Sequence, residues 1–519
     1  MKSDFNNNRP QAIHLEEEKF LFPLIVEIER LIKKTQFQYR NETIKLGKYQ
    51  RQVLAALIIE FAEDLHNNIG LWDSVEYYNK QLFNTPLPLF VNNENEIKQL
   101  FDESRIKCFI HTIFFEFKPE LILRPAHKDL DLLAKTLSSF LTEKFKNLPK
   151  ISSVKDFLLQ PNTFGWDIKR KLVWVGTHSY LFRISFYRYI AETNKGKIEI
   201  AYIDDFICQE NTIWSGLGVI DILAKTLGLP VKKADDVRSW YERYFAFYRV
   251  ITVTDNSIIL ENIINNGRYK VSSDAEQNKV FKTGDFVSGG IVPYGDSWYW
   301  SGVQQNWGKL DENKIVEIKK DFIRKSSLVV YRYDKNLLAK AKESLAIQKK
   351  EFIDYYGSEL IIFKDGLSMA AAFQKKEREK YETLPQEKLE AHMKKYGLKN
   401  PFPGFDFPDE LLNSENGVGV YFNSEEGTDI MLQFDNLLNG LKKEGKDLTE
   451  DEYEAVRNFI TCDAISPNFV KKLVEQYGTK SINSSFLINS EINILDYLLH
   501  RYKGEYFRNR DPNLTLLDD

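Results

Sequence analysis

The sequence predicts a multi-domain α+β protein with an N-terminal helical region, a mixed α/β middle, a small antiparallel β-barrel of the SH3 or OB kind, and a helical and mixed C-terminal region. Its 519 residues are about three times the length of a usual domain. With 43% hydrophobic and 28% charged residues, the chain can bury several cores. Blocks of helical and strand periodicity alternate along it. We expect these four regions, with a helical connector before the last, at 1–147, 148–248, 249–310, 311–396 and 397–519.

The charge balance and the cysteines limit the classes of protein. The chain has 71 Lys and Arg against 75 Asp and Glu, so its net charge of −4 makes no strong electrostatic case for nucleic acid or an anionic membrane. No apolar run approaches the roughly twenty residues of a membrane span, and residues 1–10 lack the apolar stretch of a secretory signal. The three cysteines are far apart, which is typical of a reducing compartment. We therefore expect a cytoplasmic protein without membrane contact.

Periodicity assigns elements to the first half of the chain. Apolar residues at three-and-four spacing, clearest at Leu54, Leu57, Ile58, Phe61 and Leu65, predict helices over roughly 16–145. Residues 166–199 mix aromatic, β-branched and cationic side chains and residues 197–204 alternate, which together favour strands. We expect a loop at 84–95, where prolines and asparagines interrupt the helices.

A helix is predicted from Leu217 to Leu227. Ser215 is the expected cap for its free amides, and Gly228 and Pro230 are the expected stop. Its buried face is expected to hold Leu217, Ile220, Leu223 and Ala224.

Short strands separated by turn residues predict the barrel. Five strand-like runs are separated by four turns with Asn, Asp or Gly residues that tolerate tight bends. The runs are 250–253, 257–260, 268–271, 285–287 and 298–300. Such spacing is typical of a small barrel.

The remaining chain reads as helices with a few strands. Residues 311–390 are rich in Lys and Glu and predict helices, apart from strands at 328–333 and 360–363. The proline-rich stretch 397–408 is the predicted linker. After it we expect a strand at 419–422 and helices at 428–441, 449–460 and 467–474, the last with Ser466 as cap and Gly478 at its end.

The sequence signatures of common catalytic classes are absent. The chain has no GxGxxG, Walker GxxxxGK[ST], HExxH or GxSxG motif and no EF-hand loop. Its seven histidines include no pair at the spacing of helical metal ligands. We therefore predict no cofactor and no metal site.

One group of polar residues nevertheless supports a catalytic hypothesis. Asp204, Asp205 and Glu210 follow a predicted strand, and Lys169 or Lys171, before that strand, is the candidate lysine. Carboxylates at a strand end can hold a divalent ion, while a lysine stabilises developing negative charge, as in many nucleases. The alternative is a solvated turn.

Two aromatic segments are candidate binding sites. Trp214, Ser215 and Gly216 precede a predicted helix, whose N-terminal amides can receive an anion; the alternative is a capping serine beside a packed tryptophan. Trp298 and Trp300 alternate on a barrel strand and can stack bases or grip a peptide. The alternative for these two is core filling, with Tyr299 on the opposite face.

Three functions remain open. The leading hypothesis is a binding or interaction protein that engages a protein or nucleic-acid partner through its barrel. The second is a metal-dependent hydrolase or nuclease that uses the carboxylate group. The third is a structural subunit of a larger assembly.

Overall fold

The structure is a computed structural model that describes residues 2–10, 16–35, 37–39, 42–117, 123–325, 335–396, 406–488 and 494–507. Helices hold 58% of its residues and strands 13%, in agreement with the predicted α+β class. Two compact units divide the chain: the first contains Met1–Lys335 and the segment that begins at Leu487, and the second contains Asn336–Phe486. Within the described ranges, no helix has both the length and the apolar character that a membrane span requires.

Helices form most of the first unit outside the barrel. The predicted apolar face of α3 (Lys48–Asn67) is fully or almost fully buried from Leu54 to Leu65. The other elements are α1 (Lys2–Asn7), α2 (Glu18–Lys34), β1 (Phe37–Tyr39), β2 (Glu42–Ile44), α4 (Leu71–Phe83), α5 (Glu103–Phe117), α6 (Lys128–Phe145), α7 (Ser153–Leu159), α8 (Gly165–His178), α9 (Arg183–Asn194), α10 (Ile200–Gln209), α11 (Val219–Thr226) and α12 (Val231–Arg238).

The strands predicted at 166–199 and 197–204 are wrong, because these residues form α8, α9 and the start of α10. In α8, Ile168, Leu172 and Val175 are buried at helical spacing. Ile198 and Ile200, which the strand prediction placed on one apolar face, are 52% and 58% exposed. Aromatic and β-branched residues disfavour a helix only weakly, so packing against neighbouring helices decides the conformation.

The predicted helix at 217–227 is confirmed as α11, but its cap is wrong. The helix begins at Val219, and the amide of Gly218 donates to Asp221 Oδ2 at 3.0 Å. Ser215 lies outside the helix with a φ of 56°. The predicted buried face is confirmed, and Gly228 ends the segment with a φ of 55°.

Five strands close into a barrel in the order β3-β4-β5-β7-β6, because β6 pairs with β3 as well as with β7. The predicted runs overlap these strands, which are β3 (Tyr244–Val253), β4 (Ser257–Asn262), β5 (Arg268–Ser272), β6 (Phe286–Tyr294) and β7 (Ser297–Gly308), with α13 (Ala275–Asn278) after β5. The pairing of β5 with β7 is parallel, which corrects the expectation of a wholly antiparallel barrel. Tyr248, Leu260, Val271 and Ile291 are among the side chains that fill the interior.

Two sides of the barrel pack on helices. The apolar core formed by the helices of the first unit includes Val292 and Tyr294 of β6 and Tyr299 of β7. At the other side, Ile315 and Ile318 of α14 (Glu312–Lys325) pack beside Phe247, Ile263 and Phe286.

The second unit combines a small sheet with helices. Its strands are antiparallel in the order β10-β9-β8. Val418, Val420 and Phe422 of the central strand pack on Phe352 and Met369. The elements are α15 (Lys335–Tyr356), β8 (Leu360–Phe363), α16 (Gly366–Glu382), α17 (Gln386–Tyr396), α18 (Asp409–Leu412), β9 (Val418–Asn423), β10 (Gly427–Leu432), α19 (Phe434–Lys442), α20 (Glu450–Thr461), α21 (Pro467–Tyr477) and α22 (Lys480–Ser485); α23 (Leu495–Tyr502) belongs to the first unit.

In the second unit, some of the elements predicted from the sequence are confirmed and others are wrong. The strands at 360–363 and 419–422, the helix at 449–460 and the cap Ser466 are confirmed, and the Ser466 side chain accepts from the Phe469 amide. The helix predicted at 428–441 is wrong in its first part, which is β10. In β10, the Asp429 carboxylate accepts hydrogen bonds from Asn423 and Ser466, and these contacts hold the segment as an extended strand. The strand predicted at 328–333 and most of the linker at 397–408 lie outside the described residues.

A buried carboxylate in α3 makes the stability of the first unit depend on pH. Asp64 is 2% exposed and accepts from the amides of Gly70 at 2.8 Å and Trp72 at 2.7 Å. Burial raises the pKa of Asp64 from 3.8 to about 6, although these hydrogen bonds oppose the rise. The folded state therefore binds this proton more tightly than the unfolded state. The stability that protonation of Asp64 gives the folded state is complete below about pH 4 and is lost as the pH rises through about 6.

We expect Asp64→Asn to remove this part of the pH dependence, on the order of 3 kcal/mol, because an amide does not titrate. All eight tryptophans lie in the first unit, so urea unfolding followed by tryptophan fluorescence between about pH 4 and pH 7 measures it. Asp73→Asn, at an exposed neighbouring carboxylate, is the matched control. Parallel pH profiles for Asp64→Asn and the unmodified protein would contradict the assignment.

Candidate functional site

Lys169 and Asp204, two of the residues predicted to be catalytic, form an ion pair in which the carboxylate is buried and the lysine is partly exposed. The Lys169 ammonium on α8 donates to Asp204 Oδ1 on α10. Ser301 on β7 donates to the other oxygen, Asp204 Oδ2, at 2.9 Å and accepts from Lys169 Nζ at 3.0 Å. The Asp204 side chain is 1% exposed. Both carboxylate oxygens of Asp204 therefore accept hydrogen bonds from protein donors. The contacts among Lys169, Asp204 and Ser301 link α8 and α10 to the barrel.

The other predicted carboxylates do not join this pair. Asp205 follows Asp204 on the same helix and accepts from Arg243 Nη1 at 2.7 Å. Glu210 is the residue just after α10. Consecutive helical residues point about 100° apart, which separates the two aspartates. Among the described residues, no group of three or more His, Cys, Asp and Glu side chains is arranged to hold a metal ion.

Trp214, Ser215 and Gly216 lie in the core of the helical part. Trp214 is 2% exposed, and its indole Nε1 donates to the Leu181 carbonyl at 2.7 Å. The Ser215 hydroxyl donates to Asn79 Oδ1 at 2.6 Å. Gly216 has a φ of 71° and approaches the backbone of His500. These contacts occupy the groups that the sequence suggested for binding.

Trp298 and Trp300 pack against the interior of the barrel. Trp298 meets the Tyr269 ring edge-on at 4.9 Å, and Trp300 stacks on Phe281 at 6.1 Å. Tyr299 points to the opposite face, where it is 8% exposed in the helical core. The predicted alternation is confirmed, and both tryptophans contribute to packing.

Cations lie on the outward side of β3 and β5, the two strands that flank β4, opposite the barrel interior. Strand pairing places Arg249, Glu261 and Arg268 in one row across the three strands. The next row contains Ile259 and Lys270. Arg249, Arg268 and Lys270 are exposed, and we call these three residues the cationic face. Arg268 Nε donates to Glu261 Oε2 at 2.8 Å, which leaves the other guanidinium nitrogens available.

Phe164 and Trp166, the aromatic pair, are exposed at the start of α8. Their rings stack at 4.6 Å with an interplanar angle of 24°, and they are 44% and 49% exposed. The Trp166 ring contacts Tyr299 edge-on at 5.4 Å. Because strands were predicted from residue 166 onward, the pair was not recognised from the sequence. The sequence feature that could have indicated the pair is two aromatic residues on either side of a glycine at the start of a helix.

A second polar group is closed inside the helices. Arg9 Nη1 lies 2.6 Å from Glu63 Oε2, and Arg183 Nη2 donates to Glu60 Oε1 at 3.1 Å. Burial raises the pKa of Glu63, and Arg9 opposes that rise. A cavity of about 20 Å³ adjoins Arg9, Glu60 and Glu63. Such a volume accommodates about one water molecule.

Comparison with known proteins gives no assignment. The chain matches no family model, no curated protein and no solved structure.

Proposed function

We propose that the chain binds nucleic acid, with the phosphate backbone on the cationic face of an OB-type barrel. The observation that carries the proposal is the exposed position of Arg249 on β3 and of Arg268 and Lys270 on β5, on the same outward side of the barrel. Glu261 is the acidic side chain between them. The face therefore has a local positive charge although the whole chain has a formal net charge of −4.

The strand order supports the OB type. Counted within the barrel, the first strand pairs with the second and the fourth, and the third lies parallel to the fifth. In barrels of this type, the second and third strands form the surface that binds oligonucleotides. Here these strands are β4 and β5, and β5 holds both Arg268 and Lys270. A fold alone does not establish a function, so the charges carry more weight than the topology.

The metal-dependent hydrolase has less support. Both oxygens of Asp204 already accept hydrogen bonds from Lys169 and Ser301, and Asp205 is paired with Arg243. A divalent ion would have to displace these donors. A protein partner on the barrel is the competing function.

We expect Arg249→Ala/Arg268→Ala/Lys270→Ala to weaken binding of a short labelled single-stranded oligonucleotide. Each phosphate contact releases a counterion, so the slope of log K against log salt should fall by about 2 for the three contacts. Fluorescence anisotropy of the full chain over a salt series measures both quantities. The matched control is Lys135→Ala/Lys146→Ala/Lys150→Ala, which removes the same charge from exposed positions elsewhere.

Two results would overturn the proposal. The first is no binding by the unmodified protein even at low salt. The second is an equal loss of affinity in the control variant, which would show that only total charge matters.

A further inference from the structure

The geometry points to the aromatic pair, Phe164 and Trp166, as a base-stacking platform that continues the cationic face. The ligand class would then be single-stranded nucleic acid with unpaired bases. This inference rests on the proposed function and adds the feature that discriminates single strands from duplex.

Strand pairing connects the two surfaces. Lys270 and Ser272 point to the same outward side of β5, because side chains alternate along a strand. Ser272 pairs with Tyr299 of β7, and Trp166 lies against the Tyr299 ring. The path from Lys270 to Tyr299 is therefore about 7 Å along β5 and about 5 Å across to β7. The Trp166 ring lies a further 5.4 Å from the Tyr299 ring, centroid to centroid. A nucleic-acid strand whose phosphates lie on the cationic face would bring its next bases to the rings of Phe164 and Trp166.

The aromatic pair is held in place on one side and exposed on the other. A Cβ at Gly165 would lie 2.6 Å from the Tyr299 ring, so glycine allows α8 to approach β7 closely. The Asp167 carboxylate accepts from the amides of Thr163 at 3.1 Å and Phe164 at 2.9 Å, which fixes the segment before the helix. Since this carboxylate is engaged by two amides, its charge is partly compensated near the rings.

The chemistry of the two surfaces favours an unpaired strand. Stacking on an aromatic ring requires a free base face, which a duplex hides between neighbouring base pairs. Arg170, one helical turn beyond Trp166, does not add a cation at the rings, because its guanidinium lies over Phe157 and donates to Gln160 Oε1 at 2.7 Å. Phosphate contacts alone would bind single strands and duplexes by charge, whereas the rings add affinity only for bases that are free.

The experiment compares three labelled probes with the full-length protein: an oligothymidylate, its duplex with oligoadenylate, and an abasic phosphodiester chain of the same length. The unmodified protein should bind the oligothymidylate most tightly. Phe164→Ala/Trp166→Ala should lower that affinity about tenfold to a hundredfold and leave affinity for the abasic chain unchanged. Trp166→Phe should retain most of the affinity, because it keeps a ring. Tyr49→Ala, at a residue that is 75% exposed on α3, is the control for an unrelated surface aromatic.

Each other outcome has a definite meaning. Equal binding of the oligothymidylate and the abasic chain would overturn the stacking platform and leave the cationic face intact. Tighter binding of the duplex would overturn the single-strand assignment. Binding of none of the probes would overturn the proposed function itself. A melting curve of each variant shows whether a loss of binding comes from unfolding.

Discussion

Lys169→Met is expected to destabilise the first unit by about 3–5 kcal/mol, because it leaves the buried Asp204 carboxylate without its cationic partner. Ser301 would still donate to Asp204, but a single hydroxyl does not compensate a charge that is 1% exposed. Urea unfolding followed by tryptophan fluorescence reads this unit selectively, since residues 336–486 contain no tryptophan.

Two further variants separate a lost ion pair from a lost side chain. Lys169→Met/Asp204→Asn should recover most of the stability, because no unpaired charge remains. Arg170→Met changes the neighbouring exposed cation and should cost little. The hydrolase hypothesis expects the opposite pattern for Lys169→Met, with unchanged stability and loss of a divalent-dependent activity. If Lys169→Met were as stable as the unmodified protein, the structural role of the ion pair would be contradicted.

Gly216→Ala is expected to cost about 3 kcal/mol or more through two separate effects. A Cβ at this position would lie 1.9 Å from the His500 carbonyl oxygen and 3.1 Å from Gly504 Cα, so the segment around α23 must move. The φ of 71° adds a cost of about 1–2 kcal/mol for any side chain. Movement of α23 would also disturb the edge-on contact between Phe83 and Tyr497 at 5.6 Å.

Gly196→Ala isolates the backbone effect. Gly196 has a φ of 81°, but a Cβ at this position would have no heavy atom of the described residues within 4 Å. This control should cost only about 1–2 kcal/mol in the same urea titration. Hydrogen exchange should show faster opening of residues 495–507 in Gly216→Ala alone. Equal costs for the two variants would show that the close approach to His500 contributes nothing.

The sequence by itself determined the features that depend on neighbouring residues. Ser466 caps a helix, Gly478 ends it, and turn residues separate the barrel strands, because each signal acts within a few residues along the chain. The burial of the apolar residues from Leu54 to Leu65 in α3 likewise follows from helical spacing, although residues 57–65 are buried on all sides of the helix. The opposite directions of Trp300 and Tyr299 follow from strand alternation.

Only the tertiary structure decided the features that depend on distant contacts. Residues 166–204 have no strong local preference, so packing against other helices makes α8, α9 and the start of α10 where strands were predicted. The roles of Asp204 and Asp205 differ because Ser301 and Arg243 approach them from other elements. The parallel pairing of β5 with β7 places Ser272 beside Tyr299, on which Trp166 packs, and no local pattern encodes contacts across so long a stretch of chain.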